Sequence, residues 1–167
     1  LFQGIMFAIT PIVAQLYGSK EFTNIGKKMR QIFWIAVLIA FSIFFIFLFL
    51  SEVILYFPLD KDILSISAEY LKSVSVGMFF YVMFRYLSSY SEGMTLTLPV
   101  FFVVLLGAVI NIPLDIIFAF GFFGIPEMGS EGCGYATSLV SMIMFFLMLK
   151  IILSSGKYKK TKLLEKF

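Results

Sequence analysis

The chain has 167 residues, of which 60% are hydrophobic and 19% aromatic, and only 14% carry a charge. Water-soluble domains carry about 25% charged and 45–50% apolar residues, so this chain has more apolar surface than one core can bury. The mean hydropathy of +1.00 agrees with this. The composition excludes a water-soluble protein and predicts an integral membrane protein whose remaining surface faces the lipid bilayer.

The charged and reactive residues exclude several functions. The net charge is only +3, and the basic residues lie in short segments between apolar stretches, so we expect no nucleic-acid partner. The sequence contains no histidine, which removes the commonest general base and metal ligand. Because zinc and P-loop signatures are also absent, we expect that the chain is not an enzyme. Its one cysteine, Cys133, allows no internal disulfide.

Five apolar stretches approach the roughly 20 residues that a helix needs to cross the hydrocarbon core. In chain order they are residues 2–17, 31–57, 69–90, 99–121 and 133–153. The first is short and contains Pro11, which predicts a helix kink. The connections are short and polar or rich in Gly and Pro, so neighbouring helices should run antiparallel. The pattern predicts an all-α polytopic bundle over residues 1–153, followed by a basic tail, 154–167.

The basic residues also predict the orientation of this bundle. All of them except Lys61 and Lys72 fall in residues 18–30, in residues 85–98, or in and just before the tail. Cytoplasmic segments are enriched in Lys and Arg, so the loops 18–30 and 85–98 and the tail 154–167 are predicted to be cytoplasmic. We expect the tail's lysines to lie against anionic lipid headgroups.

One acid, Asp115, lies deep in the fourth span, where its neighbours are mostly Val, Ile, Leu and Phe. Asn111 is one helical turn earlier, on the same helix face. Pro113, between them, predicts a second kink and lacks the N–H that would bond to the carbonyl of Val109. Carboxylate, amide and free carbonyl oxygens together predict a partial shell for a small hard cation, or a supported proton site.

Such a shell needs more oxygens from another helix, and the fifth span offers Thr137 and Ser138. Tyr135 could hydrogen-bond the acid from the same region. The plainer interpretation is a neutral structural acid bonded to Tyr or Thr. Intramembrane acids mark ion or proton paths by default, so the functional interpretation is favoured. Near the start of the same span, Gly132 and Gly134 predict a close approach between helices.

The sequence resembles the multidrug and toxic compound extrusion (MATE) transporters over nearly its whole length. The stretch "AITPIVAQLYGSKE" (8–21) is similar to the family's second helix and the loop after it. The stretches "SEGMTLTLPV" (91–100) and "NIPLDIIFAFGFFGIPEMGSEGCGYATSL" (111–139) resemble the region of its fourth to sixth helices. The order and spacing of these motifs carry the resemblance.

The resemblance implies that the five spans are helices two to six of a twelve-helix protein with two six-helix lobes. The chain begins at Leu1 directly in an apolar segment, and we expect it to be a piece of a longer protein. Residues 154–167 are then a tail or the linker between the lobes. The implied function is secondary active efflux of organic cations in exchange for Na⁺ or H⁺ by alternating access, in a bacterial inner membrane.

The resemblance also implies the coupling site. The family's Asn and Asp four residues apart correspond to Asn111 and Asp115, its sixth-helix Thr to Thr137, and a backbone carbonyl to that of Cys133. The family's first-helix Asp has no counterpart in this chain. Some family members carry Asn where Asp115 stands, so Na⁺ and H⁺ both remain open. We expect no cofactor beyond the coupling ion and no metal other than Na⁺ at Asp115 and Asn111.

Two alternatives remain. A flippase of the same superfamily would move lipid-linked sugars and would need a more cationic cavity than this sequence suggests. A non-transporting membrane scaffold would use Asp115 only structurally. An intramembrane aspartyl protease is disfavoured, because it would need a second acid at depth. For the transporter, the expected partners are the lipid bilayer, small organic cations and the remaining half of the same protein.

Overall fold

Seven helices and one 3₁₀ turn form the fold of residues 2–161 and 163, the part of the chain that the computed structural model describes. The helices are α1 Phe2–Phe7, α2 Ile9–Gly18, α3 Phe22–Val53, α4 Lys61–Gly93, α5 Thr97–Phe120, α6 Gly129–Ser154 and α7 Gly156–Lys159. The 3₁₀ turn, Ile54–Tyr56, continues α3. These described residues contain no strand, so the predicted all-α bundle is confirmed.

Four of the helices are long and apolar enough to cross a membrane: α3 with its 3₁₀ turn, α4, α5 and α6. A crossing needs about 20 residues, and the shortest of the four, α5, has 24. Their outer faces expose large apolar side chains, among them Leu38, Phe49 and Leu98. Apolar surface on this scale is stable in lipid and not in water, so the chain is a multi-pass membrane protein.

The first predicted span, residues 2–17, is not one membrane-length helix. It forms α1 and α2, which have 6 and 10 residues and meet at Ala8. Pro11 explains this break, because it lacks the N–H that would bond to the carbonyl of Phe7. Proline is well tolerated in the first turn of a helix, where that N–H has no partner within the helix. The interruption predicted from Pro11 therefore falls at Ala8.

Two segments that were expected to be loops are mostly helical. Helix α3 begins at Phe22, so most of residues 18–30 belong to it. Helix α4 continues to Gly93, and only residues 94–96 separate it from α5. Lys and Arg are good helix formers, and their long side chains can carry charge from a helix to the headgroup region. A basic segment at a membrane surface therefore need not be a loop.

Helix α4 lies at the centre of the bundle, in contact with α1, α2, α3, α5 and α6. Its closest packing is against α6, where glycines let the backbones meet. A side-chain carbon at Gly77 would lie 2.5 Å from Cα of Ser138, and one at Gly134 would overlap Oγ of Ser73. The close helix approach predicted at Gly134 is confirmed. This contact fixes α6 against the core, and α5 packs on the other side of α6.

Candidate cation site on helix α5

Two close contacts define how α5 lies against α6. A side-chain carbon at Gly132 would lie 2.5 Å from the carbonyl oxygen of Phe118, so the predicted approach at Gly132 is also confirmed. Further along the pair, a side-chain carbon at Gly107 would lie 2.6 Å from Sδ of Met144. Moving back along α5 from Phe118 to Gly107 thus corresponds to moving forward along α6 from Gly132 to Met144. The two helices are antiparallel and in register over about three turns.

This register places three of the predicted site residues at one level. Asn111 and Asp115 lie one and two turns after Gly107, beside the face of α5 that meets α6. Thr137 is level with the turn between them. It lies seven residues before Met144 and therefore shares the face of α6 that meets α5. Asn111, Asp115 and Thr137 are all half-buried.

Asp115 carries an unusual buried atom. Its Oδ1 is shielded from solvent and has no hydrogen-bond partner in the described part of the chain. A buried polar atom without a partner is rare, because it costs about 1–3 kcal/mol in stability. A carboxyl group at this depth must take up a proton, bind a cation or gain a donor. The geometry therefore leaves Asp115 with capacity for a further partner.

The other residues predicted on α6 differ in what they contact. The hydroxyl of Tyr135 donates to Oε1 of Glu131 at 3.0 Å, one turn earlier on the same helix, so its assignment as a partner of Asp115 is wrong. Ser138 is engaged by two backbone groups of α4 and is not a free oxygen donor. Cys133 is half-buried and lies one turn before Thr137 on the same face. The cation-binding roles of Thr137 and Cys133 stay predictions.

The carbonyl released by Pro113 does not join this group. Helix α5 continues through Pro113 to Phe120, and both Pro113 and Val109 are exposed. Two residues of an α-helix turn the chain by about 200°. The Val109 carbonyl therefore lies on the face of α5 opposite Asn111 and Asp115. The interpretation that it completes the same oxygen shell is wrong.

A charged cluster on α4 was missed by the sequence analysis. Nη1 of Arg85 lies 3.9 Å from Oε1 of Glu92, and the guanidinium carbon lies 4.6 Å from the ring centre of Phe7. The side chains of Arg85 and Glu92 are only 12% and 24% exposed. Nη2 of Arg85 is buried without a partner among the described residues. The spacing of seven residues, which places both charges on one helix face, is the signal that could have revealed the pair.

The fold and the buried acid together define a polytopic helical membrane protein with a candidate ion site on one of its spans. Residues 1–117 match the MatE family model, and the chain belongs to the MatE family. The resemblance found in the sequence motifs is thus confirmed. The matched region includes Asn111 and Asp115.

The chain is also similar to three curated relatives, each named "Multidrug resistance protein NorM". It is 35% identical to that of Photobacterium profundum over 162 residues, which are 97% of this chain and 36% of that protein. It is 32% identical to that of Vibrio cholerae serotype O1, over 98% of this chain and 36% of the relative. It is 33% identical to that of Vibrio parahaemolyticus serotype O3:K6, over 93% of this chain and 34% of the relative. The chain spans about a third of the length of these relatives.

Proposed function

We propose that the protein carrying this chain is a secondary active transporter of a bacterial inner membrane that exports organic cations in exchange for Na⁺ or H⁺. Membership of the MatE family supports this proposal, as does the name "Multidrug resistance protein" of the relatives. The observation that carries it is the buried, unpartnered carboxylate oxygen of Asp115 on a membrane-spanning helix. Acids in this setting typically line ion or proton paths.

In the proposed site, Asp115 is the residue that binds and releases the coupling ion. Asn111 supplies an amide oxygen, Thr137 a hydroxyl and Cys133 a backbone carbonyl. All are hard oxygen donors, which suit Na⁺, and the carboxylate alone suits a proton. Further ligands and the second lobe of the transport cleft come from the remainder of the transporter.

The coupling follows from the charge of Asp115. With a cation or proton bound, the carboxyl group is neutralised and can remain buried beside α6. After release, the bare charge favours an arrangement in which water reaches it, because burying an unpaired carboxylate is costly. The ion therefore shifts the equilibrium between two packings of α5. Alternating access results when the drug is bound and released in different packings.

The test is efflux of a fluorescent organic cation from proteoliposomes that contain the complete protein, under an imposed Na⁺ gradient or an imposed pH gradient. Asp115→Asn keeps the size of the side chain but removes its charge, and we expect coupled efflux to fall to background. Asp62→Asn is the matched control, since Asp62 is exposed in the first turn of α4, and it should transport normally. Both variants must reconstitute to the same level.

Each other outcome has a definite meaning. Coupled efflux that survives Asp115→Asn would make the acid structural and overturn the mechanism. A wild-type protein that moves no organic cation but scrambles a lipid-linked oligosaccharide is the flippase alternative. A protein that moves neither is a scaffold. The gradient that drives wild-type efflux identifies the coupling ion.

A further inference from the structure

A cavity of 530 Å³ opens between the start of α5 and the end of α6, far along α5 from Asp115. The apolar residues of its wall include Leu98, Phe102 and Ile151, which lie within α5 and α6. The polar ones include Thr95, Ser155 and Lys157, which lie beyond the ends of these two helices. A single cavity thus presents an ammonium group and hydroxyls at one end and an apolar surface at the other.

A second cavity of 410 Å³ adjoins the first and makes its polar end more basic. Both cavities are lined by Leu96 and Lys157, and the second is also lined by Lys160. Neither wall includes an acidic side chain from the described part of the chain. Among the described residues, the lining of this end is therefore basic only, and an anion is the complementary ligand.

The backbone at Lys157 is held in place by the neighbouring residue, Tyr158. The Tyr158 side chain is buried, and its hydroxyl lies 2.7 Å from Oγ of Ser91 at the end of α4. Ser91 in turn donates a 2.6 Å hydrogen bond to the carbonyl of Leu96. Burial raises the pKa of Tyr158, so its hydroxyl stays protonated and can donate at neutral pH. These bonds fix α7, and with it the backbone of Lys157, beside the cavity.

A second bond reinforces this attachment. The hydroxyls of Tyr90 and Thr161 share a buried hydrogen bond of 2.6 Å. The rings of Tyr90 and Tyr158 also pack at 5.6 Å between centres. The segment that carries Lys157 is thus attached to the central helix at two points. The backbone that carries Lys157 is therefore already in place before a ligand binds, and only the lysine side chain has to be ordered.

We propose that this cavity binds one anionic phospholipid. The lipid phosphate lies against Lys157 and the hydroxyls of Thr95 and Ser155, and an acyl chain follows Leu98 and Phe102. Both apolar side chains are exposed on the outer face of α5 and belong to its lipid-facing surface. The cavity lies where α5 begins and α6 ends, the level at which headgroups meet a membrane-spanning helix. A soluble anion would use only the polar end.

Native mass spectrometry of the complete protein in detergent tests the proposal. The probes are phosphatidylglycerol and phosphatidylcholine with identical acyl chains, added in equal amounts. Phosphatidylglycerol should bind more tightly, and Lys157→Gln should weaken its binding about fivefold, the effect expected of one basic residue near an anionic headgroup. Lys159→Gln is the matched control, because Lys159 is exposed on the same short helix and lines neither cavity.

A second pair of variants tests the apolar wall. Phe102→Ala should weaken phosphatidylglycerol binding by a similar factor, while Phe101→Ala should not. Phe101 is an adjacent, equally exposed aromatic residue that does not line the cavity. The Asp115→Asn variant should keep its lipid binding, so the two proposals can fail separately.

Four results would overturn the lipid site. Equal binding of the two lipids would remove the role of charge. If Lys157→Gln and Lys159→Gln weaken phosphatidylglycerol binding equally, the lipid is attracted to the basic surface as a whole and not to this cavity. Displacement of the lipid by soluble glycerol phosphate would indicate a site for the phosphate group alone. Absence of a retained lipid in the complete protein would indicate that another segment of the protein covers the cavity.

Discussion

Ser138 on α6 accepts a 3.0 Å hydrogen bond from the backbone N–H of Gly77, at the middle of α4. The same hydroxyl donates a 2.8 Å hydrogen bond to the carbonyl of Ser73. In a regular α-helix these two backbone groups, four residues apart, bond directly to each other. One side chain of α6 therefore bonds to both backbone groups of the same turn of the central helix, and it links the two helices that make the closest contact in the bundle.

Replacing Ser138 by Ala removes both hydrogen bonds and leaves two buried backbone groups in α4 without this partner. We expect a loss of about 1–2 kcal/mol in the free energy of unfolding. Ser141→Ala is the control, since the Ser141 hydroxyl bonds to the carbonyl of Thr137 on its own helix. Thermal unfolding of the complete protein in detergent measures both. Equal melting temperatures for the two variants would show that the Gly77 N–H and the Ser73 carbonyl do not depend on the Ser138 hydroxyl for stability.

Gly77→Ala tests the close approach itself. The added carbon would lie 2.5 Å from Cα and 2.6 Å from Oγ of Ser138, so α6 would have to move. Overpacking of this kind costs about 1–3 kcal/mol. Gly18→Ala adds the same carbon at the end of α2, where nothing lies within 4 Å, and should be neutral or slightly stabilising. A Gly77→Ala protein as stable as Gly18→Ala would contradict the described packing.

Thr137 has a testable role in the proposed coupling site. Thr137→Val keeps the shape of the side chain but removes the hydroxyl, and we expect the ion concentration for half-maximal efflux to rise about tenfold. This is the effect of losing one hydrogen bond or ligand to a charged group. Thr137→Ser should restore the wild-type value. Dependence on the coupling ion is measured in the same proteoliposomes, and an unchanged value in Thr137→Val would remove Thr137 from the site.

The pair of Arg85 and Glu92 calls for a double-mutant cycle. Removing one partner leaves a charge in a poorly hydrated position, so Arg85→Met and Glu92→Gln should each destabilise the protein by about 1–3 kcal/mol. The double variant should lose less stability than the two single variants lose together. Melting temperatures of the four proteins give the coupling energy. If the loss of stability in the double variant equals the sum of the two single losses, the two side chains do not stabilise each other at their separation of 3.9 Å.

Much of the architecture could be predicted from residue patterns. Apolar runs long enough to cross a membrane correspond to α3, α4, α5 and α6, because chain length and hydropathy alone decide which segments can be stable in lipid. The small residues Gly132 and Gly134 correctly indicated where backbones meet. The first span could not be placed in this way, since Pro11 acts on the hydrogen bond four residues earlier and divides a short apolar stretch into two helices.

The choice of partners inside the bundle was harder to predict. Residue pattern predicts Tyr135 as a partner of Asp115, but its hydroxyl bonds instead to Glu131, an acceptor one turn away on its own helix. Residue pattern also predicts Ser138 as an oxygen donor to the cation, although two backbone groups of α4 bond to its hydroxyl. Such choices depend on the rotation of each helix about its axis, which apolar composition does not determine. The position of Asp115 on a membrane-length helix could be predicted, whereas its cation-binding role remains a prediction.

The short link of residues 94–96 has a mechanical consequence for α5. The link is closed by the hydrogen bond from Ser91 to the carbonyl of Leu96, so this end of α5 is held to α4 and would be the pivot of any tilt of α5. The link to α6 at the far end is longer, residues 121–128, and contains two glycines with positive φ. Asp115 lies about 27 Å along α5 from its first residue, Thr97. A tilt of about 5° at the pivot would displace Asp115 by about 2 Å, which approaches the length of one bond between a hard cation and an oxygen ligand.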